Sequence, residues 1–93
     1  LLGGAAAIVR AMRERYDGTG YPLGIAGDAI PLGARILAVA DVYDTMTRPL
    51  GHREPRPQSD ATAEIMAGCG TQFDPTVAAA LLQFLGYPDS PLR

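Results

Sequence analysis

Between Asp17 and Pro31 the chain places glycine at 18, 20, 24 and 27 and proline at 22 and 31. Neither a helix nor a strand tolerates so many residues lacking a Cβ or a backbone N–H. The stretch Asp17-Gly18-Thr19-Gly20-Tyr21-Pro22-Leu23-Gly24 and its continuation to Pro31 is therefore an irregular loop, with separate elements on either side. Upstream, Ala5, Ile8, Val9 and Met12 recur at helical spacing. This predicts a helix from Leu1 to Tyr16, with Arg10, Arg13 and Arg15 in its last turns, where cations suit the negative end of the dipole. Downstream, a second helix begins near Pro31, since proline is accepted in a first turn. It carries Ile36, Val39, Ala40, Tyr43 and Met46 as one apolar stripe to Thr47, before Pro49 and Gly51 stop it.

From Arg48 to Pro57, proline and arginine mark a second loop. Ser59-Asp60 opens a third helix, Ala61 to about Ala67, which Gly68 and Gly70 end. Asp74-Pro75 caps and starts a fourth, which runs to Phe84 or Leu85 with Gly86 as its C′ residue. No segment alternates with a period of two, and no repeat is visible. The fold class is all-α: about four helices with a glycine- and proline-rich loop.

Composition narrows the class. At 93 residues the chain is one domain, 1–93, with room for a small core only. It has no run of ~20 apolar residues to span a bilayer and no charged-then-apolar leader. One cysteine, Cys69, excludes an internal disulfide and a cysteine-based zinc site. All eight basic residues are arginine, against ten acidic ones, for a net charge of −2. Such a chain lacks the broad positive field of a nucleic-acid binder, so no DNA partner is expected. A cytoplasmic protein without a membrane segment is expected. Leu1-Leu2, with no initiator methionine or cap, reads as the start of a piece cut from a longer chain.

Three groups of residues invite chemistry. Asp41 sits mid-helix between Ala40 and Val42, where a carboxylate is a poor helix former and costly to bury, with Asp44 on the same face. Either a metal or an arginine lies beside Asp41, or it occupies the solvent edge of the helix. Gly18, Gly20 and Gly24 around Tyr21-Pro22 make either a loop whose backbone can approach a ligand or an ordinary surface turn. Arg48, Arg53 and Arg56 with His52 are either a phosphate-binding set or a solvated connector. His52 is the only histidine and by itself makes neither a metal site nor a triad. Cys69 reads as a small buried thiol.

In order, Glu14-Arg15-Tyr16-Asp17-Gly18-Thr19-Gly20-Tyr21-Pro22, Ile30-Pro31-Leu32-Gly33-Ala34-Arg35-Ile36, Ala40-Asp41-Val42-Tyr43-Asp44 and Gly70-Thr71-Gln72-Phe73-Asp74-Pro75 resemble the C-terminal half of the HD-GYP domain. That is the bacterial family of metal-dependent phosphohydrolases that degrade cyclic di-GMP. The resemblance runs from about Ala5 to Leu85. It implies a helical bundle fragment of the HD-domain type, used in second-messenger signalling. Asp41 would be the remaining metal ligand of a site that in relatives holds divalent iron or manganese. Gly20, Tyr21 and Pro22 would lie beside the substrate, and Arg53 would contact its phosphate.

The departures from the family pattern fall on the metal. Where relatives carry two adjacent histidine ligands this chain has Met12 and Arg13, and arginine stays protonated and cannot ligate. Leu50-Gly51-His52-Arg53 replaces the family's Arg-Pro-Tyr-Arg, and the upstream half with its His-Asp motif is absent from the sequence. No catalytic residue and no cofactor are therefore assigned to this chain, which is expected to be inactive alone. The expected partners are cyclic di-GMP and the N-terminal half of the domain or a sensory or receiver domain. The alternative is a non-catalytic module that binds a cyclic dinucleotide or a protein. Two further expectations follow. Arg13 pairs with Asp41 in the lost metal's place, and Ile8, Val9, Ile36, Leu37 and Val39 stay partly uncovered, favouring self-association.

Overall fold

The computed structural model describes residues 2–49 and 54–86. Among them are four α-helices: α1 (Leu2–Ala11), α2 (Leu32–Thr47), α3 (Gln58–Ala67) and α4 (Pro75–Phe84), with a one-turn 3-10 helix at Gly27–Ala29. The described residues contain no strand. Their one β-type pairing is an isolated bridge between Cys69 and Phe73. The all-α reading of the sequence holds.

The element ends follow local chemistry. Asp74 caps α4: its Oδ1 accepts the N–H of Thr76 at 2.8 Å and of Val77 at 3.4 Å, two of the groups a helix start leaves unpaired. Past the other end of α4, Gly86 takes φ 90°, as a C′ glycine should. α3 starts at Gln58, earlier than the Ala61 expected. Pro57, at φ −60°, leads the chain into the helix, so Ser59 and Asp60 fall inside the first turn, where an acid suits the dipole. After α3 the Gly68 carbonyl accepts the N–H groups of Thr71, Gln72 and Phe73 at 3.2, 2.9 and 2.9 Å. That reversal carries Phe73 back beneath the helix.

α2 is the central element and packs against α1, α3 and α4. Its Val39 meets Ile65, Phe73 and Ala78 in the main core, where none of the four is more than 1% exposed. A smaller core joins Ala11, Ile30 and Ala34, flanked by Ile8 and Ile25. The apolar stripe expected on α2 divides: Val39 and Met46 are buried, whereas Ile36 and Ala40 line an open apolar groove of about 390 Å³ facing Val77, Ala80 and Leu81 of α4. Val39 thus leaves the set expected to be uncovered, because α3 and α4 close over it. Val9, Ile36 and Leu37 remain exposed, at 65%, 47% and 39%.

One ion pair ties loop to core. The Arg35 guanidinium donates from Nη1 to Asp74 Oδ2 at 2.7 Å and from Nε to the Ile30 carbonyl at 2.9 Å. Asp28 Oδ1 lies 3.5 Å from the same Nη1. Arg35 on α2 therefore fastens both the end of the glycine-rich segment and the start of α4.

α1 ends at Ala11 and not at Tyr16. Of the three arginines assigned to its last turns only Arg10 is there. The apolar spacing continues to Met12, but the backbone beyond Ala11 is held by partners distant in sequence. The N–H of Tyr16 reaches the Gln72 carbonyl at 3.2 Å, and that of Asp17 the Thr71 carbonyl at 2.9 Å. Tertiary hydrogen bonds override the helical pattern there.

A candidate anion-binding cavity beside the glycine loop

The segment that leaves α1 and the loop that follows it build one wall of the site. Glu14 is only 5% exposed. Its Oε2 accepts the N–H of Leu23 at 2.7 Å and its Oε1 that of Ile25 at 3.2 Å, so both carboxylate oxygens hold the loop. Gly20 lies against the backbone of residues 13–15, and the Tyr21 N–H reaches the Arg13 carbonyl at 3.4 Å. The Tyr21–Pro22 peptide is cis, and both side chains face solvent. At the loop's start, the Thr19 hydroxyl, at 2.6 Å, and then its N–H, at 3.0 Å, hold the Asp17 carboxyl below its usual range. Arg15 completes that turn, donating from Nε to Thr19 Oγ1 at 3.0 Å and lying 3.6 Å from Asp17 Oδ1.

Against this wall stands α2. Between them is a cavity of about 340 Å³, lined by Met12, Arg13, Arg15, Tyr21, Asp41 and Val42, with Glu14, Ala38 and Gln72. The loop, the two substituted positions and the helix carboxylate named from the sequence thus share one space. Of the loop only Tyr21 lines it, Gly20 and Pro22 do not, and Arg53 and His52 lie outside the described residues.

Of the alternatives left open for Asp41 the structure takes the solvent edge, and the expected Arg13 pairing needs correction. Asp41 is exposed, on the solvent edge of α2, and water accounts for its charge without a buried cation. Arg13 and Asp41 form no ion pair. The five ion pairs among the described residues involve Arg15, Arg35, Arg48 and Arg56. Arg13 lies beyond the end of α1, and its Nη1 instead donates to the Tyr21 hydroxyl at 3.4 Å, a long bond. A solvated carboxylate gains little from ordering a long side chain, which removes the drive for pairing.

Other candidates resolve more simply. Asp44 pairs with Arg48 one turn on, and Arg56 lies 3.6 Å from Asp60, so both arginines belong to exposed helix-end pairs. For Cys69, burial pushes the thiol up and the nearby Asp74 charge adds to it, which disfavours the nucleophilic thiolate. Glu14 is the residue whose role the sequence reading missed. The available signal was a carboxylate just upstream of a loop rich in unpaired N–H groups.

The donor set does not fit a catalytic metal. Among the described residues no group of three or more His, Cys, Asp or Glu side chains is placed to hold one. At the cavity, both Glu14 oxygens are committed to backbone N–H groups, which leaves Asp41 as the one uncommitted carboxylate, and the Arg13 guanidinium would repel a dication.

Comparison with known proteins places these features. Residues 1–77 match the family model described as HD domain. A probable cyclic di-GMP phosphodiesterase of Vibrio cholerae is 45% identical over 82 residues, covering 88% of this chain and 19% of that protein. A cyclic di-GMP phosphodiesterase response regulator of Xanthomonas campestris is 46% identical over 78 residues, 84% of this chain and 21% of the relative. The crystal structure of a cyclic GMP-AMP specific phosphodiesterase of Vibrio cholerae superposes with a TM-score of 0.76 at 30% identity, covering 91% of this chain and 19% of that one. The chain spans about a fifth of the length of the relatives it matches.

Proposed function

The chain belongs to the HD domain family, and from that membership we propose that it is the cyclic-dinucleotide-facing part of a cyclic di-GMP phosphodiesterase module of the HD-GYP kind. One observation carries the reading. Tyr21 of the Gly20-Tyr21-Pro22 loop and Asp41, distant in sequence, line one cavity with Met12 and Arg13. Relatives that match most of this chain include phosphodiesterases of cyclic di-GMP and of 3'3'-cGAMP, and a cyclic GMP-AMP enzyme shares its fold. On this reading the ligand is a cyclic dinucleotide of bacterial signalling, met in the cytoplasm. Gly20, Tyr21, Pro22 and Arg53 are its contacts, with Asp41 the vestige of a ligand set for iron or manganese.

The same cavity sets the limit on activity. A phosphodiester is hydrolysed in this class by clustered metals that activate water and neutralise the phosphate. With Met12 and Arg13 at the cavity and Asp41 the one free carboxylate, this chain does not assemble that cluster. The exposed Val9, Ile36 and Leu37 suit burial against the rest of the domain or a second copy. No helix among the described residues is long and apolar enough to cross a membrane.

The test is metal content and turnover. The 93-residue chain, prepared with iron and manganese supplied, is expected to retain far less than one equivalent of either metal. It is also expected to release no linear dinucleotide from cyclic di-GMP above background. Stoichiometric metal accompanied by turnover would contradict the inactive reading.

A further inference from the structure

We infer that Arg13 supplies a fixed positive charge where the family's chemistry calls for a metal, so that the cavity binds a guanine cyclic dinucleotide without any metal ion. The inference rests on the cyclic-dinucleotide reading above and goes beyond it by naming the groups and the metal independence.

Arg13 is the cavity's uncommitted cation. Arg15, the other cation there, is engaged by Asp17 and Thr19 in its own turn. Arg13 has no carboxylate partner among the described residues, and its hydrogen bond to the Tyr21 hydroxyl is long, at 3.4 Å. A guanidinium presents five donors in a planar fork, and a phosphodiester offers the two oxygens that match it. Arg13 lines an open space of about 340 Å³, within the usual range for a small-molecule site of roughly 300–1,000 Å³.

The negative groups of the cavity narrow the ligand further. Glu14 is turned to Leu23 and Ile25, with both carboxylate oxygens committed to their N–H groups. Asp41 is not: it is an exposed, acceptor-only carboxylate on the same cavity. A simple anion such as inorganic phosphate would be repelled by it. A ligand that carries both an anion and a donor edge satisfies both residues. Guanine presents N1–H and the exocyclic amine side by side, which a carboxylate accepts together, whereas adenine offers an acceptor at N1. Tyr21, 60% exposed at the cavity's mouth, provides a face on which a base can stack. Phosphate on Arg13, guanine edge on Asp41 and base against Tyr21 use each free group once.

The experiment is calorimetric titration of the 93-residue chain with cyclic di-GMP in excess EDTA, repeated with manganese in place of EDTA, for the wild type, Arg13→Gln and Arg10→Gln. Arg13 and Arg10 are both exposed, and matching circular-dichroism melts confirm that the variants fold. The expected result is binding in EDTA that manganese does not strengthen, at least tenfold weaker in Arg13→Gln and unchanged in Arg10→Gln. Cyclic di-AMP is expected to bind at least tenfold more weakly than cyclic di-GMP. Binding that appears only with manganese, or an Arg13→Gln variant equal to wild type, overturns the proposal while leaving the family reading standing. Equal affinity for the two dinucleotides overturns the assignment of Asp41 to guanine. Absence of cyclic di-GMP binding under both conditions overturns the ligand reading itself.

Discussion

Replacing Arg35 by methionine is expected to cost the fold about 3–5 kcal/mol, the range for removing one partner of a buried ion pair. The Arg35 and Asp74 side chains are only 15% and 7% exposed, and their atoms meet at 2.7 Å. Methionine keeps the apolar stem but leaves Asp74 Oδ2 and the Ile30 carbonyl without their donor. For a chain of this size such a loss is a large share of total stability, roughly 5–14 kcal/mol. Urea unfolding at neutral pH measures it directly. A loss below 1 kcal/mol would show that water replaces the guanidinium freely.

The same pair sets an acid dependence. Burial alone would raise the Asp74 carboxyl, but the Arg35 hydrogen bond, followed by the N–H groups of Thr76 and Val77, outweighs burial and holds it below its usual value. A carboxyl lowered on folding gives stability that is complete above its unfolded value of about 3.9 and is lost as pH falls through the lower native value. Without Arg35 the burial effect is less opposed, so the variant loses less stability than the wild type as the pH falls through this range. The gap between wild type and variant is expected to narrow once the pH falls well below about 3.9.

Gly20→Ala is expected to disrupt the loop more than any other single methyl group added to it. A Cβ there would stand 2.4 Å from the Arg15 nitrogen, 2.6 Å from the Arg13 oxygen and 2.7 Å from the Glu14 Cα, all backbone atoms. No side chain can rotate away, so the loop must lift from residues 13–15, breaking the Tyr21 and Glu14 contacts that shape the cavity. Overpacking costs typically about 1–3 kcal/mol, and a purely backbone clash belongs at or above the top of that range. Gly70 is the control: it has φ 84° but open space around its missing Cβ, so Gly70→Ala carries only the conformational penalty of about 1–2 kcal/mol. If the two substitutions cost the same by thermal unfolding, close approach is not what Gly20 provides.

Legibility in the sequence tracked how local each cause was. The start and end of α4 were readable because Asp74, Pro75 and Gly86 act within a turn of themselves. The glycine-rich segment was readable because its residues forbid regular structure. The end of α1 was not, since the apolar spacing runs on to Met12 while the backbone is captured by carbonyls at 71 and 72. Nor was the Arg35–Asp74 pair, whose partners lie 39 residues apart with no periodic relation. Val39 shows a third kind of failure. Its place on α2 was right, but burial depended on how α3 and α4 close over the helix. At the site, the pattern brought Met12, Arg13, Tyr21 and Asp41 to one cavity, yet could not decide between a buried and a solvated carboxylate, on which the expected Arg13 pairing depended. Glu14 escaped notice because its work is done through N–H groups of a loop, which carry no side-chain signature.

The most direct test of the account is an amide-shift titration of the labelled chain with cyclic di-GMP in EDTA. The account predicts shifts concentrated at Arg13, Arg15, Gly20, Tyr21 and Asp41 and their neighbours, with the α2–α4 groove around Ile36 and Ala80 unmoved. Shifts centred on that groove, or none at saturating dinucleotide, would contradict it.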